Sequence, residues 1–368
     1  MNQIPYFDFK RASVNLKNSW NIAIDQVIDN GKFIGGEHLA RFESEWSKYL
    51  SVRYSIGVGN GLDAITISLR ALGIGSGHRV VVPAHTFIAT YLAVESVGAE
   101  VVPIDCTNKG LLDLDLVENL QSKVNAVIPV HMHGSAVDMP RLIRWAQQQD
   151  VYVIEDCSQA HGQEVGGRLT GTWGDFGAFS FYPSKNLGAL GDAGAIVTNN
   201  ERFADLARSI GNYGAKPERK YEYQEFGMNS RLDPLQAVIL SVNLKYLDEW
   251  NARRQEIART YIDKLKQKRI KLLNTNPLES VWHHFIVLTD ERDSLKKFLA
   301  MREIGTEIHY PESAESIFQT LKQTKNPNGP KAQELARKTL SLPMHPWLTN
   351  EEVNRIINQV NEWDSHNV

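Results

Sequence analysis

Apolar positions recur along this chain with two alternating periods. Short runs rich in β-branched residues (Tyr54–Val58, Arg79–Pro83, Glu100–Ile104, 126–130 and 151–155) read as strands. Between them, apolar residues three and four apart predict helices over 64–72, 86–97, 116–122 and 140–149. Upstream, the same periodicity predicts helices over 14–30, stopping at Asn30-Gly31, and over Glu37–Leu50. Two further runs, GAFSFY and GAIVTN, lie within 174–200 and read as buried strands. Continuous apolar strands alternating with helices predict an α/β fold whose mostly parallel sheet is covered on both faces. The ligand site of such a sheet lies beyond the C-terminal ends of its strands.

After residue 231 the pattern changes. One long helix is expected over 231–268, with Pro234 in its first turn, followed by a compact α+β unit beyond Pro277. Within that unit the pattern gives a strand over 284–288, a helix over 293–303, a strand over 306–310 and a final helix over 351–363. The 368 residues therefore divide into a large domain over 1–245 and a smaller C-terminal domain over 246–368.

Composition narrows the class without naming it. The net charge of -3 argues against a general nucleic-acid or membrane-surface binder. Cys106 and Cys157, the two cysteines, sit in no metal-ligand spacing, so neither a disulfide scaffold nor a metal site is expected, and a reducing cytoplasm is the default. The N-terminal MNQIPYFDFKRAS lacks a basic region followed by an apolar core, and no apolar run reaches membrane-spanning length.

The chemistry gathers at strand ends. Lys185 lies in a Gly- and Pro-punctuated loop between the two buried runs of 174–200. It reads either as a solvated hairpin lysine or as a desolvated amine, which is the form a Schiff-base nucleophile needs. Asp156 follows VYVIE, at the tip of a buried strand where a carboxylate needs a partner. It suits a structural ion pair or a cationic ring nitrogen. Gly59-Asn60-Gly61-Leu62-Asp63 opens a helix, whose free N–H groups and dipole favour an anion, although such turns also merely connect elements. Together the three offer one fixing each for the aldehyde, ring nitrogen and phosphate of pyridoxal phosphate. His85, His131, His133, Gln159 and His161 also follow strands; each histidine by itself reads as a capped or solvated loop residue, and together they converge on the same rim.

The order of NGLDAI, PAHTFIAT, IEDCSQAHG, GDFGAFSFYPSKNLGALGDAGAIVTNN and FGMNSRLDPLQAVIL resembles the pyridoxal-phosphate-dependent sugar aminotransferases of the DegT/DnrJ/EryC1/StrS family. The resemblance implies the aspartate-aminotransferase fold (fold type I) and a homodimer whose active sites are built from both subunits. It makes Lys185 the Schiff-base lysine, Asp156 the pyridinium partner, Gln159 a further cofactor contact and Phe87 the ring that stacks on the cofactor. Gly61, Leu62 and Ser180 become phosphate ligands, with Asn229 donated by the other subunit. His85, Tyr182, Asn186, Arg219, Tyr221, Arg231, His309 and Tyr310 become candidate substrate contacts. The basic and aromatic segment 212–224 reads either as a mobile surface loop or as one reaching a nucleotide diphosphate.

The implied reaction moves an amino group from L-glutamate to a nucleotide-linked keto sugar. FYPSKNLGALGD resembles members acting at C3, so a dTDP-3-keto-6-deoxyhexose is expected, with a UDP-linked 3-keto-N-acetylglucosaminuronate and a 4-keto sugar as alternatives. Relatives with His at the lysine position are dehydratases; Lys185 favours transamination over that activity, and over a non-enzymatic sugar-nucleotide-binding module. Leu62, His85, His133 and Cys157 depart from residues common in the family, which affects substrate detail rather than cofactor chemistry.

Overall fold

In a computed structural model, residues 3–216, 219–322 and 329–365 are described, with the side chains of 219 and 220 excepted. The central sheet has seven strands: β1 (Tyr54–Val58), β2 (Arg79–Pro83), β3 (Glu100–Ile104), β4 (Ala126–Val127), β5 (Tyr152–Asp156), β6 (Phe176–Ser180) and β7 (Gly194–Thr198), in the order β1-β7-β6-β5-β4-β2-β3. β7 alone runs against the others, pairing antiparallel with both β1 and β6. The sheet is thus mixed but mostly parallel, and its α/β character is as expected.

One face of the sheet buries Ile56, Val58, Val80, Val82, Ile154, Phe176 and Ile196 against the helix Gly61–Ala71, nearly every residue of which is buried. Each such side chain taken fully out of water contributes about 1.5–3 kcal/mol. That helix starts three residues before the apolar pattern suggests, because the Asn60 side chain caps it by accepting from the Asp63 N–H at 2.9 Å. Gly194 pairs with both Val58 and Ser180. A Cβ there would stand 2.6 Å from the Asn60 carbonyl, so only glycine lets the Asn60 turn close down beside β6.

Within the basic and aromatic segment 212–224, β8 (Ala215–Lys216) pairs antiparallel with β9 (Arg219–Tyr223). The long helix expected over 231–268 is two helices, Pro234–Leu244 and Leu247–Lys264. The first buries Val238, Ile239 and Leu240 on the large unit, and the second sends Ile257, Ala258 and Tyr261 into a separate C-terminal core. The break at Lys245-Tyr246 lets each half turn its apolar face to its own core.

The C-terminal unit is built on a three-stranded antiparallel sheet, β10 (Lys271–Leu272), β11 (Phe285–Leu288) and β12 (Thr339–Leu342). The strand expected over 306–310 is absent: only Glu307 bridges to Ser341, and β12 takes the place beside β11. Ile4 packs into this second core and bridges to Ile304, so the N-terminal segment, read as part of the large domain, docks on the C-terminal unit.

Candidate active site

The loops leaving β1, β2, β5 and β6 meet residues of the C-terminal unit around a cavity of about 460 Å3. Asp156 enters it as the last residue of β5, only 6% exposed. Its Oδ2 accepts from the Thr90 hydroxyl and its Oδ1 from the Ser158 N–H, each at 3.1 Å, which fixes the plane of the carboxylate. Lys185 follows β6 in a turn closed by its own N–H donating to the Tyr182 carbonyl at 2.8 Å. It lines the same cavity and is half-buried rather than standing in a solvated hairpin. Loss of water around the amine lowers its pKa to about 8, while the Asp156 carboxylate pulls the other way.

Gly61 begins its helix at the edge of the cavity. A Cβ on Gly61 would stand 2.7 Å from the Ser180 Cβ and 3.1 Å from the Ser158 Oγ, so this helix start is kept open by glycine. Leu62 and Ser180 line the cavity beside it. Free N–H groups, a hydroxyl and the positive end of a helix make a place for phosphate.

Two aromatic rings form another wall. Phe87 is 53% exposed, with its ring centroid 5.5 Å from that of Tyr310. Gln159 braces this wall: its Nε2 donates to the Tyr310 hydroxyl at 3.1 Å, and its Oε1 accepts the His133 N–H at 2.7 Å. His133 needs that support because it sits in the left-handed region, with φ 60°.

The expected histidine rim is not formed: of that set only Gln159 lines the cavity, while His85, His131, His133 and His161 are buried outside its lining. His131 accepts the Val137 N–H on Nδ1, which leaves its Nε2 proton for Glu155 at 3.2 Å. Glu155 also accepts from the N–H groups of Gly171, Trp173 and Gly174, so its oxygens are committed to the fold. His161 is packed among Trp46, Phe179 and Phe181, and burial lowers its pKa to about 3. Both rings serve the core because the residues after β4 and β5 turn inward.

Of the other expected site residues, Tyr182, His309 and Tyr310 line the cavity, but His85 does not. It is fully buried behind Tyr310, with ring centroids 6.3 Å apart, and burial lowers its pKa to about 4. Asn186 is also absent from the lining: its Nδ2 donates to Asn251 Oδ1 and the Val281 carbonyl, each at 2.8 Å, and its Oδ1 faces His283 Nδ1 at 3.2 Å. Arg231 turns away to Asn212 and the Tyr213 ring. Tyr221 and Asn229 are exposed and do not line this cavity, and the Arg219 side chain lies outside the described residues. Four contributors went unrecognised in sequence: Thr90, Ser158, His283 and His284. The first two hold Asp156, and the two histidines line the cavity from some hundred residues away in the chain. The adjacent pair His283-His284 opening a strand was the one signal that pointed to them.

This arrangement fits pyridoxal phosphate. Lys185 would hold the aldehyde, Asp156 the ring nitrogen, and the open Gly61 cradle the phosphate. On a mostly parallel α/β sheet, with that set at the strand ends, the molecule is a pyridoxal-phosphate enzyme of the aminotransferase type. The chain matches the DegT/DnrJ/EryC1/StrS aminotransferase family over residues 15–361 and belongs to it. It is 39% identical to the dTDP-3-amino-3,4,6-trideoxy-alpha-D-glucose transaminase of Streptomyces venezuelae, over 98% of this chain and 96% of that one. It is 38% identical to the dTDP-3-amino-3,6-dideoxy-alpha-D-galactopyranose transaminase of Aneurinibacillus thermoaerophilus, over 98% and 99%. Among solved structures, S. venezuelae DesV in complex with a ketimine intermediate superposes with a TM-score of 0.95 at 38% identity, each chain fully covered. The chain is therefore a pyridoxal-phosphate-dependent sugar aminotransferase.

Proposed function

We propose that the chain transfers the amino group of L-glutamate to the C3 keto group of a dTDP-linked 3-keto-6-deoxyhexose, releasing a dTDP-3-amino-3,6-dideoxyhexose and 2-oxoglutarate. The observation that carries this reading is the Lys185 amine, with its pKa lowered to about 8, lining one cavity with Asp156. Such an amine is free often enough near neutral pH to bond a carbonyl carbon, and basic enough to carry a proton. Bound pyridoxal phosphate supplies an electron sink for the carbon that loses its proton. Thr90 and Ser158 fix the Asp156 carboxylate, which would meet the ring nitrogen; Gly61 and Ser180 would hold the phosphate, and Phe87 would pack on the ring. Lys185 then moves the proton between the substrate carbon and the cofactor side.

The choice of sugar rests on two supports. The dTDP-3-amino-sugar transaminases above are more similar to this chain than the UDP-2-acetamido-2-deoxy-3-oxo-D-glucuronate aminotransferase of Pseudomonas aeruginosa, at 33% identity. Among the described residues lining the cavity, Lys185 is also the one Lys or Arg, whereas a uronate carboxylate calls for a cation of its own. A neutral 6-deoxy sugar suits that wall better. The exposed Tyr221 and Asn229 are read as reaching the site of a second copy in a cytoplasmic homodimer, with the basic hairpin meeting the nucleotide diphosphate. Incubation with glutamate and dTDP-3-keto-, UDP-3-keto- and dTDP-4-keto-sugars, followed by product mass, tests the substrate. Amination of only a 4-keto or uronate sugar would overturn it.

A further inference from the structure

His283, His284 and His309 line the cavity, and the hydrogen bonds behind the three rings differ in kind. His284 Nδ1 lies 2.6 Å from the Tyr6 hydroxyl, and His309 Nδ1 2.8 Å from the Ser341 hydroxyl. A hydroxyl can donate or accept, so neither contact decides which nitrogen of its ring carries the proton. His283 Nδ1 instead lies 3.2 Å from Asn186 Oδ1, and that amide has no freedom to turn. Its Nδ2 donates to the Val281 carbonyl and to Asn251 Oδ1, each at 2.8 Å. Asn251 is fixed in turn, with its Nδ2 donating to the His161 carbonyl at 2.9 Å. Two backbone carbonyls, which only accept, thus orient both amides and leave Asn186 Oδ1 as an acceptor. His283 must therefore donate to it from Nδ1.

Burial, and after it the positive charge of Lys185, takes the His283 pKa well below its ordinary value, so the ring is neutral. A neutral imidazole protonated on Nδ1 carries a bare lone pair on Nε2. With Nδ1 spent behind the wall, Nε2 is the nitrogen left for the cavity, which Lys185 and Asp156 also line. The bond that sets this tautomer comes from Asn186, the residue after Lys185, so the lysine loop and the imidazole are tied into one assembly.

We propose that His283 is a further catalytic residue, its Nε2 accepting a hydrogen bond from the Lys185 amine whenever that amine is not bonded to the cofactor. This rests on the reading above in which Lys185 carries the proton. On taking a proton from the substrate carbon Lys185 becomes an ammonium, and one of its three N–H groups is held by the Nε2 lone pair. The same proton then leaves Lys185 for the cofactor side. His283 itself gains no proton and changes no charge. Asn186 and Asn251 are positioning residues: they touch no substrate, but keep the imidazole proton on Nδ1 and so keep Nε2 an acceptor.

Nitrogen-15 NMR of the histidine-labelled full-length protein, with the ring assigned through His283→Gln, reads the tautomer and needs no substrate. A proton on Nδ1 and a bare Nε2 is the expected result; a ring protonated on Nε2 overturns the proposal. In cofactor-free protein the Nε2 resonance carries the shift of an accepted hydrogen bond, and Lys185→Met removes that shift; a resonance indifferent to Lys185 overturns the contact. In the half-reaction of the holoenzyme with L-glutamate, His283→Leu slows the step about ten- to hundredfold, the worth of one hydrogen bond to a charged group. His283→Gln, whose amide oxygen can stand in for Nε2, recovers most of that loss. The pair Asn186→Ala and His283→Leu is no slower than His283→Leu alone, since residues of one network do not add. Equal losses in His283→Leu and His283→Gln, or a loss confined to glutamate affinity, overturn the catalytic role. A wild type that does not react with glutamate defeats the donor reading, while the tautomer and its response to Lys185→Met still decide whether the contact exists.

Discussion

Gly61 and Ser180 approach so closely that a Cβ on Gly61 would stand 2.7 Å from that of Ser180. Gly61→Ala therefore pushes a methyl group into the place assigned to the cofactor phosphate. The strain of such an overpacked contact is about 1–3 kcal/mol. Affinity for pyridoxal phosphate falls about tenfold or more, as read by fluorescence titration of the cofactor-free protein.

Asp156 is held by two hydrogen bonds, from Thr90 and Ser158, that leave its charge directed at the cavity. Asp156→Asn keeps the shape and removes the charge. The expected fall in kcat is about 10²–10³-fold, the range for losing one preorganised electrostatic partner. Thr90→Val removes only one orienting bond and costs about 1 kcal/mol of transition-state stabilisation. Comparable losses in both variants would contradict this division of roles.

The Lys185 amine titrates near 8 in the folded chain, below its ordinary 10.5. Between those values the unfolded chain binds the extra proton, so stability rises with pH across that window. Lys185→Met removes the burden. In cofactor-free protein, the variant's gain over wild type in urea midpoint is largest below pH 8 and disappears as pH approaches 10.5. A constant gain at every pH would show that Lys185 is not the group responsible.

His131, Glu155 and Cys157 bring three potential metal ligands within 4.8 Å of one another, yet the Glu155 oxygens are already taken by three backbone N–H groups and His131. The cluster is expected to act as structure. Glu155→Ala strands those buried donors and destabilises the fold by about 3–5 kcal/mol, measured by urea unfolding. Dialysis against a chelator leaves kcat unchanged.

The strands Tyr54–Val58, Arg79–Pro83 and Glu100–Ile104 are legible residue for residue, because continuous apolar runs bounded by glycine or proline have few other readings. β12 is not: TLSL follows a helix directly and carries no turn signal of its own. The 306–310 run alternates like a strand, yet it carries His309 and Tyr310 to the cavity, and alternation alone does not separate these roles. Lys185 and Asp156 are readable since each sits beside a buried run. Tyr6 and His284 are not, being brought together only by the tertiary fold across 278 positions. Histidines likewise do not declare in sequence whether they turn to the cavity, as His309 does, or to the core, as His161 does.

The most direct test is the visible absorption of the protein loaded with pyridoxal phosphate, before and after L-glutamate, for wild type and Lys185→Ala. The wild type should show a lysine-dependent band that glutamate discharges as one 2-oxoglutarate forms per active site, while Lys185→Ala shows neither the band nor catalytic release. A Lys185→Ala protein that keeps the wild-type band and releases 2-oxoglutarate at the wild-type rate would contradict the account.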